Sequence, residues 1–382
     1  MSRVGRLGGW AAIAIIVLTG IEATARLAEA LFEPAMAIPA VARTVNARLN
    51  LDPYKIAAAD HGAHWRLRPG YGADAARVLA DKLAQGRVEG AAAIASADEG
   101  REAGLAINDQ GFKGPAIDPG HTRRRVLVLG DSVTFGYPAI DYVRVFQSRL
   151  ALRGIEVEAI NGGVEGYGVR NHLLELDRYG ALKPDVVMIL LGWNDIFGMS
   201  RRDGDWSGHL AALRLWDQAA RAFERLDRDA GSRATELRAK PKHMDPADPA
   251  LHRMENAAPD LIERIERLAL AQEAGGARVV IATLPGLYLP GQTPSPAALA
   301  KGHLPQWTDN PLALAAATGA ANRGLRRLAA AHGWTLVDFA EWSRTALVPR
   351  DGYFVDSVHL TADGYRLMGN YLAESFRPQP GE

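Results

Sequence analysis

From Arg124 onward, short apolar runs alternate with helix-like segments, and this alternation constrains the fold more than any other feature of the chain. Val126–Leu129, Val157–Ile160, Val186–Leu191, Val279–Thr283 and Leu336–Phe339 read as strands. Tyr142–Arg153, Asn171–Gly180, Pro259–Ala274 and Leu312–His332 read as helices between them. Strands that alternate with helices form a parallel sheet covered on both faces. The expected class is therefore α/β. Open parallel sheets place their sites at the carboxyl ends of the strands, so the residues just past each run matter most.

Four such exits carry chemistry. The first run ends at Gly130-Asp131-Ser132, a tight turn that presents a hydroxyl at a strand end. A neutral serine hydroxyl is a weak nucleophile and needs a base. Asp356-Ser-Val-His359 supplies one: His359 as the base and Asp356 as the carboxylate that orients it, three residues away. Thr361 follows as the N-cap of a helix. A tetrahedral intermediate also needs donors aimed at its oxyanion. The Ser132 N–H is one. Gly166, in Asn161-Gly-Gly-Val-Glu-Gly-Tyr-Gly168, offers a backbone N–H, and Asn194, in Gly192-Trp-Asn-Asp195, a side-chain NH₂. Asp131 and Asp195 flank the site but do not read as the triad acid; Asp131 reads as a cap or brace of the turn that presents Ser132. Trp193 reads as packing or as the floor of an acyl or sugar pocket. His243, His252 and His303 lie in loops without ligand spacing and read as surface residues.

Composition narrows the function classes. Lys and Arg number 44, as do Asp and Glu, and no basic stripe interleaves with aromatics, which argues against nucleic-acid binding. The chain has no cysteine, so thiol catalysis, disulfides and thiolate metal sites are excluded. No metal ligand set stands out. The Gly-x-Gly-x-x-Gly opening of a dinucleotide site is missing after the first strand, and no cofactor is expected.

The amino terminus differs from the rest. Arg3 and Arg6 precede the uncharged run Leu7–Ile21, which stops at Glu22. Fifteen helical residues reach roughly 22 Å, short of a ~30 Å hydrocarbon core. Snorkelling by Glu22 and Arg26 covers the shortfall. Residues 1–32 are expected to be a signal-anchor helix that holds the body outside the cytoplasm, with cleavage near Ala23-Thr-Ala25 as the alternative. Residues 33–120 read as a membrane-proximal extension with short helices, one over Ala73–Gln85. Residues 121–382 read as the catalytic domain. An insertion at about 196–255 carries a helix over Gly208–Asp229, and Pro285–Trp307 reads as a long loop. Asn108–Gly114 reads as a loop held on the core by Phe112.

Together the four blocks resemble the SGNH (GDSL-type) hydrolase family, over roughly Asn108–Phe376. The resemblance implies a flavodoxin-like three-layer α/β/α fold and cofactor-free ester hydrolysis by an exposed serine. It favours Gly166 over Gly162 and Gly163 as the oxyanion glycine. The resulting expectation is a serine esterase acting on a short-chain or O-acetyl ester of a cell-envelope glycan or lipid. The alternatives are an O-acyltransferase using the same residues and a non-catalytic glycan-binding module.

Overall fold

The structure is a computed structural model that describes residues 16–28, 52–57, 65–73, 104–137, 140–199, 240–249 and 259–376, with a few isolated positions between them. The chain divides into two compact units, residues 1–66 with 202–229, and residues 67–201 with 230–382. In the first unit, residues 16–28 are helical. Among the described residues, no helix is long and apolar enough to cross a membrane. The start of the expected anchor, residues 1–15, lies outside the described residues, as do His252 and nearly all of the Gly208–Asp229 segment.

The described positions of the extension include helical residues at Ala35, Ala40, Val41 and Thr44 and, beyond the expected short helices, short strands. Its described parts contain four short strands: β1 (Lys55–Ala57), β2 (Trp65–Leu67), β3 (Gly72–Ala73) and β4 (Leu105–Ala106), paired as β1–β2 and β3–β4. Ala73 ends β3, and the rest of the expected Ala73–Gln85 helix lies outside the described residues. Asn108–Gly114 closes a turn as expected. The Asn108 side chain accepts from the N–H groups of Gln110 (3.1 Å) and Phe112 (2.9 Å), and the Phe112 ring is buried.

The second unit is built on a five-stranded sheet of β5 (Arg124–Gly130), β6 (Val157–Gly163), β7 (Val186–Leu190), β8 (Arg278–Ala282) and β9 (Thr335–Val337). All pairs are parallel, in the order β6-β5-β7-β8-β9. This is the 2-1-3-4-5 order of flavodoxin-like sheets, with its switch point between β5 and β7. The last six residues of β5 and all five of β7 are buried, so neither face of the central sheet is open to water. Helices cover it. Tyr142–Leu152 packs on β6 and on Ala362–Ser375; Pro259–Ala274 packs on β7, β8 and Pro311–His332.

Local signals explain most element ends. Thr361 caps Ala362–Ser375 by accepting from the Gly364 N–H, and Asn310 and Pro311 start the helix that Gly333 ends. The helix expected over Asn171–Gly180 is instead two, Val169–Leu173 and Leu176–Ala181. Between them the N–H groups of Leu174 and Glu175 bond three residues back, to Asn171 and His172, which tightens the turn and breaks the run. β9 stops at Val337 because Asp338 caps the next helix, Phe339–Ala346, through the Glu341 N–H. Pro285–Trp307 is not a bare loop. It contains the helix Pro296–Lys301 and buries Leu287, Tyr288, Leu289 and Leu304.

The registers align the strand exits. Gly130 at the end of β5 sits opposite Gly163 of β6 on one side and Leu190 of β7 on the other. At Gly163 the next turn of chain comes so close that a Cβ would lie 2.3 Å from the Phe135 backbone nitrogen. Backbone cannot yield as a side-chain tip can. Gly163→Ala should therefore lower stability by roughly 1–3 kcal/mol in urea unfolding with an unchanged m-value; wild-type stability would contradict this packing.

Candidate active site

Past Gly130 the chain turns at once into a short helix, Ser132–Phe135. Asp131 caps it, its carboxylate accepting from the Val133 N–H at 2.9 Å. That is the bracing role expected for Asp131. Its second oxygen is buried and accepts no hydrogen bond among the described residues, and burial pushes the carboxyl up to about 7.

Two side chains from elsewhere fasten this turn. Asn161, in β6, donates to the Thr134 carbonyl at 2.8 Å and accepts from the Gly163 N–H at 2.9 Å, tying the second block to the first. Lys113 is buried, and its ammonium donates to the carbonyls of Phe135 (2.8 Å) and Tyr137 (2.7 Å) and to Asp141 (2.7 Å). Burial drives its pKa down, against the opposing pull of Asp141. Asp141 meanwhile caps Tyr142–Leu152 through the Arg144 N–H. His172, also buried, spans the Tyr179 hydroxyl (2.7 Å) and the Gly130 carbonyl (3.1 Å), and burial pushes it down to about 4, so it is neutral. Sequence reasoning missed Lys113 and His172; for Lys113 the only signal was its place in the Asn108–Gly114 loop.

The fourth block forms a closed loop. An antiparallel bridge joins Phe354 to Leu360, and the Val355 N–H bonds the His359 carbonyl at 3.0 Å. Inside it, one Asp356 oxygen accepts from the N–H groups of Val358 (2.9 Å) and His359 (2.8 Å). The other lies 2.7 Å from His359 Nδ1, and His359 Nε2 lies 2.8 Å from the Ser132 hydroxyl. Burial alone would raise the Asp356 pKa, but the imidazoles of His359 and His303 and these hydrogen bonds hold it well below the usual carboxylate range. For His359 burial pulls downward, and Asp356 outweighs it, so its pKa is raised. An ionised Asp356 requires the proton on Nδ1, which leaves Nε2 to accept from Ser132.

The remaining predicted residues sit on the two strands beside β5. Gly166 follows β6 in a turn, with φ +83° and an exposed backbone. Neither its N–H nor that of Ser132 donates a hydrogen bond among the described residues. Asn194 lies in the first turn of Trp193–Phe197, after β7. One hydrogen of its NH₂ goes to the Tyr167 carbonyl at 2.8 Å, next to Gly166, which orients the amide and leaves the second hydrogen available. Asp195 accepts from the Val169 N–H at 3.2 Å and lies 3.4 Å from Arg264, which makes it a brace between these segments. Trp193 is buried, and a Cβ at Gly286 would lie 2.8 Å from the end of its ring, so it packs.

His243 is exposed, as read from sequence. His303 corrects that reading: its side chain is 18% exposed and its Nδ1 lies 3.9 Å from Asp356, because the segment after Pro296–Lys301 folds back onto the catalytic loop. Among the described residues no group of three or more His, Asp or Glu side chains is placed to hold a metal. A base, an orienting carboxylate, a hydroxyl and three N–H donors at one sheet edge form the set that acyl transfer through serine requires.

Solved structures with similar folds include an acetyl xylan esterase, AlAXEase, at 16% identity and TM-score 0.41, covering 66% of this chain and all of that one. The lipase/acylhydrolase from Enterococcus faecalis is similar at 18% identity and TM-score 0.38, covering 66% of this chain and 94% of that one. Axe2, an acetylxylan esterase from Geobacillus stearothermophilus, is similar at 15% identity and TM-score 0.39, covering 66% and 93%. Likenesses of this size carry no inference about substrate. No curated protein matches the chain. Residues 128–367, more than half of the sequence, match the GDSL-like Lipase/Acylhydrolase family, and the chain belongs to that family of ester-hydrolysing enzymes.

Proposed function

We propose that the protein is a serine esterase in which Ser132, His359 and Asp356 act as a triad. The observation that carries this reading is the unbroken relay from Asp356 through His359 to the Ser132 hydroxyl, at 2.7 and 2.8 Å. Ser132 Oγ attacks the ester carbonyl while His359 Nε2 takes its proton. The tetrahedral oxyanion lies among the N–H groups of Ser132 and Gly166 and the free N–H of Asn194. Collapse breaks the ester C–O bond, and His359 returns the proton to the leaving alcohol. Water, deprotonated by His359, then attacks the acyl-enzyme and frees Ser132. Asp356 stays ionised throughout and stabilises the imidazolium.

The substrate class we infer is a short acyl ester, O-acetyl in particular, on a glycan or lipid of the cell envelope. The placement inferred for the site supports this: Arg3 and Arg6 precede the apolar run Leu7–Ile21, and the part of it described as helix leaves Ile16, Val17, Leu18 and Ile21 at least half exposed. We infer that this segment anchors the chain with its catalytic unit outside the cytoplasm. The full chain should then remain with membranes after carbonate washing; recovery in the wash would contradict the anchor.

Ser132→Ala should abolish hydrolysis of p-nitrophenyl acetate while leaving the thermal unfolding profile intact; retained turnover would remove Ser132 as nucleophile. His359→Ala should lower kcat by roughly 10⁴–10⁶, and Asp356→Asn by about tenfold to a hundredfold less than that. Because His359 must be neutral to accept a proton, and Asp356 raises its pKa, the acid limb of kcat/KM should have its midpoint above about 6.5, the ordinary histidine value. In Asp356→Asn the main upward pull on His359 is gone, and burial acts against only the weaker pulls of Asp131 and Glu165, so the midpoint should fall; an unmoved midpoint would contradict the pairing.

A further inference from the structure

The carboxylate of Asp356 faces two imidazoles. One of its oxygens is committed to the backbone N–H groups of Val358 and His359. The other lies 2.7 Å from His359 Nδ1 and 3.9 Å from His303 Nδ1. The longer distance exceeds a hydrogen bond but is an ion-pair distance when His303 is protonated. His303 is also fixed there. Its ring lies against Phe197 with centroids 5.0 Å apart, and its carbonyl accepts from the hydroxyl of Ser357, the residue after Asp356. Four residues on, the Trp307 indole donates to the Ile196 carbonyl at 2.9 Å, and Lys240 donates to the Thr308 carbonyl at 2.7 Å. The segment that carries His303 is thus pinned to the catalytic loop at one end and to the Asn194-bearing helix at the other.

Resting on the triad reading above, we propose that His303 is a positioning residue of the site: a second imidazole on the Asp356 carboxylate, whose protonation draws that carboxylate away from His359. With His303 neutral, the distal oxygen belongs to His359, which it orients and whose pKa it raises. With His303 protonated, two donors compete for one oxygen, and the cation lowers the basicity of His359. A proton on either ring disfavours a proton on the other, so the two titrate in macroscopic steps that belong to the pair.

Other groups face this pair. Tyr288, from the segment after β8, is pushed up to about 12 by burial and is neutral throughout the range. Asp195, on the helix that carries Phe197, acts on the charge of Asp131 and is held by Val169 and Arg264. Asp131 and Glu165 both act on the charge of His359, and Asp131, pushed up to about 7, titrates near neutrality, so it must be separated in the test.

The test is an NMR pH titration of the imidazole signals in the full-length protein. In the wild type, His303 and His359 should each show two inflections at shared midpoints. His303→Gln should reduce His359 to one inflection, and His359→Gln should reduce His303 to one, while Asp131→Asn should leave the two-step pattern in place. The acid limb of kcat/KM should likewise change from a broadened, two-proton fall in the wild type to a one-proton fall in His303→Gln. Identical His359 curves in wild type and His303→Gln, or loss of the second step in Asp131→Asn alone, would overturn the proposal. The titration needs no substrate. Coupled rings in a protein without esterase activity would count against the esterase reading alone, and independent rings in an active esterase against His303 alone.

Discussion

Register along three neighbouring strands fixes where this protein can do chemistry. Gly130, Gly163 and Leu190 lie side by side, so the chain leaves β5, β6 and β7 at one edge and at one height. A parallel sheet buried on both faces tolerates no slip, because a shift of one residue would move core side chains to the opposite face. The hydroxyl of Ser132 and the donors at Gly166 and Asn194 inherit that precision from the apolar packing beneath them. Asn161 and Asn194 then cross between neighbouring turns, one to the Thr134 carbonyl and one to the Tyr167 carbonyl. Lys113 adds two more such bonds, to the Phe135 and Tyr137 carbonyls, so buried side chains tie the exits together through backbone groups.

Environment separates the two acids near Ser132. Asp356 and Asp131 are both buried, yet the first is held ionised and the second is pushed up to about 7. The difference lies in their partners. Asp356 receives two backbone N–H donors and the His359 ring, and His303 adds a second imidazole. Asp131 has one N–H donor and a second oxygen with none among the described residues. A carboxylate without compensation loses more by burial than a carboxylic acid does. Only Asp356 can hold a stable negative charge behind His359, which suits it to orient the base and leaves Asp131 to shape the turn.

Sequence reveals what is local. The strand-then-turn pattern around Gly130-Asp-Ser132 is readable because the apolar run and the turn residues are contiguous, and Asp356 and His359 lie within one turn of chain. The sheet is readable for the same reason. Contacts between distant segments are not. Lys113 reaches Asp141 across 28 positions and His172 reaches Gly130 across 42, and neither residue stands in a pattern that marks it. His303 read as a surface histidine because the fold-back of the segment after Pro296–Lys301 leaves no periodic trace. Asn171–Gly180 failed as a single helix because two short-range hydrogen bonds near Glu175 outweigh continuous helical propensity.

The central claim is that Ser132 is an activated nucleophile under His359, and labelling by a fluorophosphonate probe tests it without assuming a substrate. Intact-mass and peptide analysis should find one adduct per chain, on Ser132, forming faster as pH rises through the His359 titration and vanishing in Ser132→Ala. A folded wild-type protein that stays unlabelled, or carries its adduct on another residue, would contradict the claim.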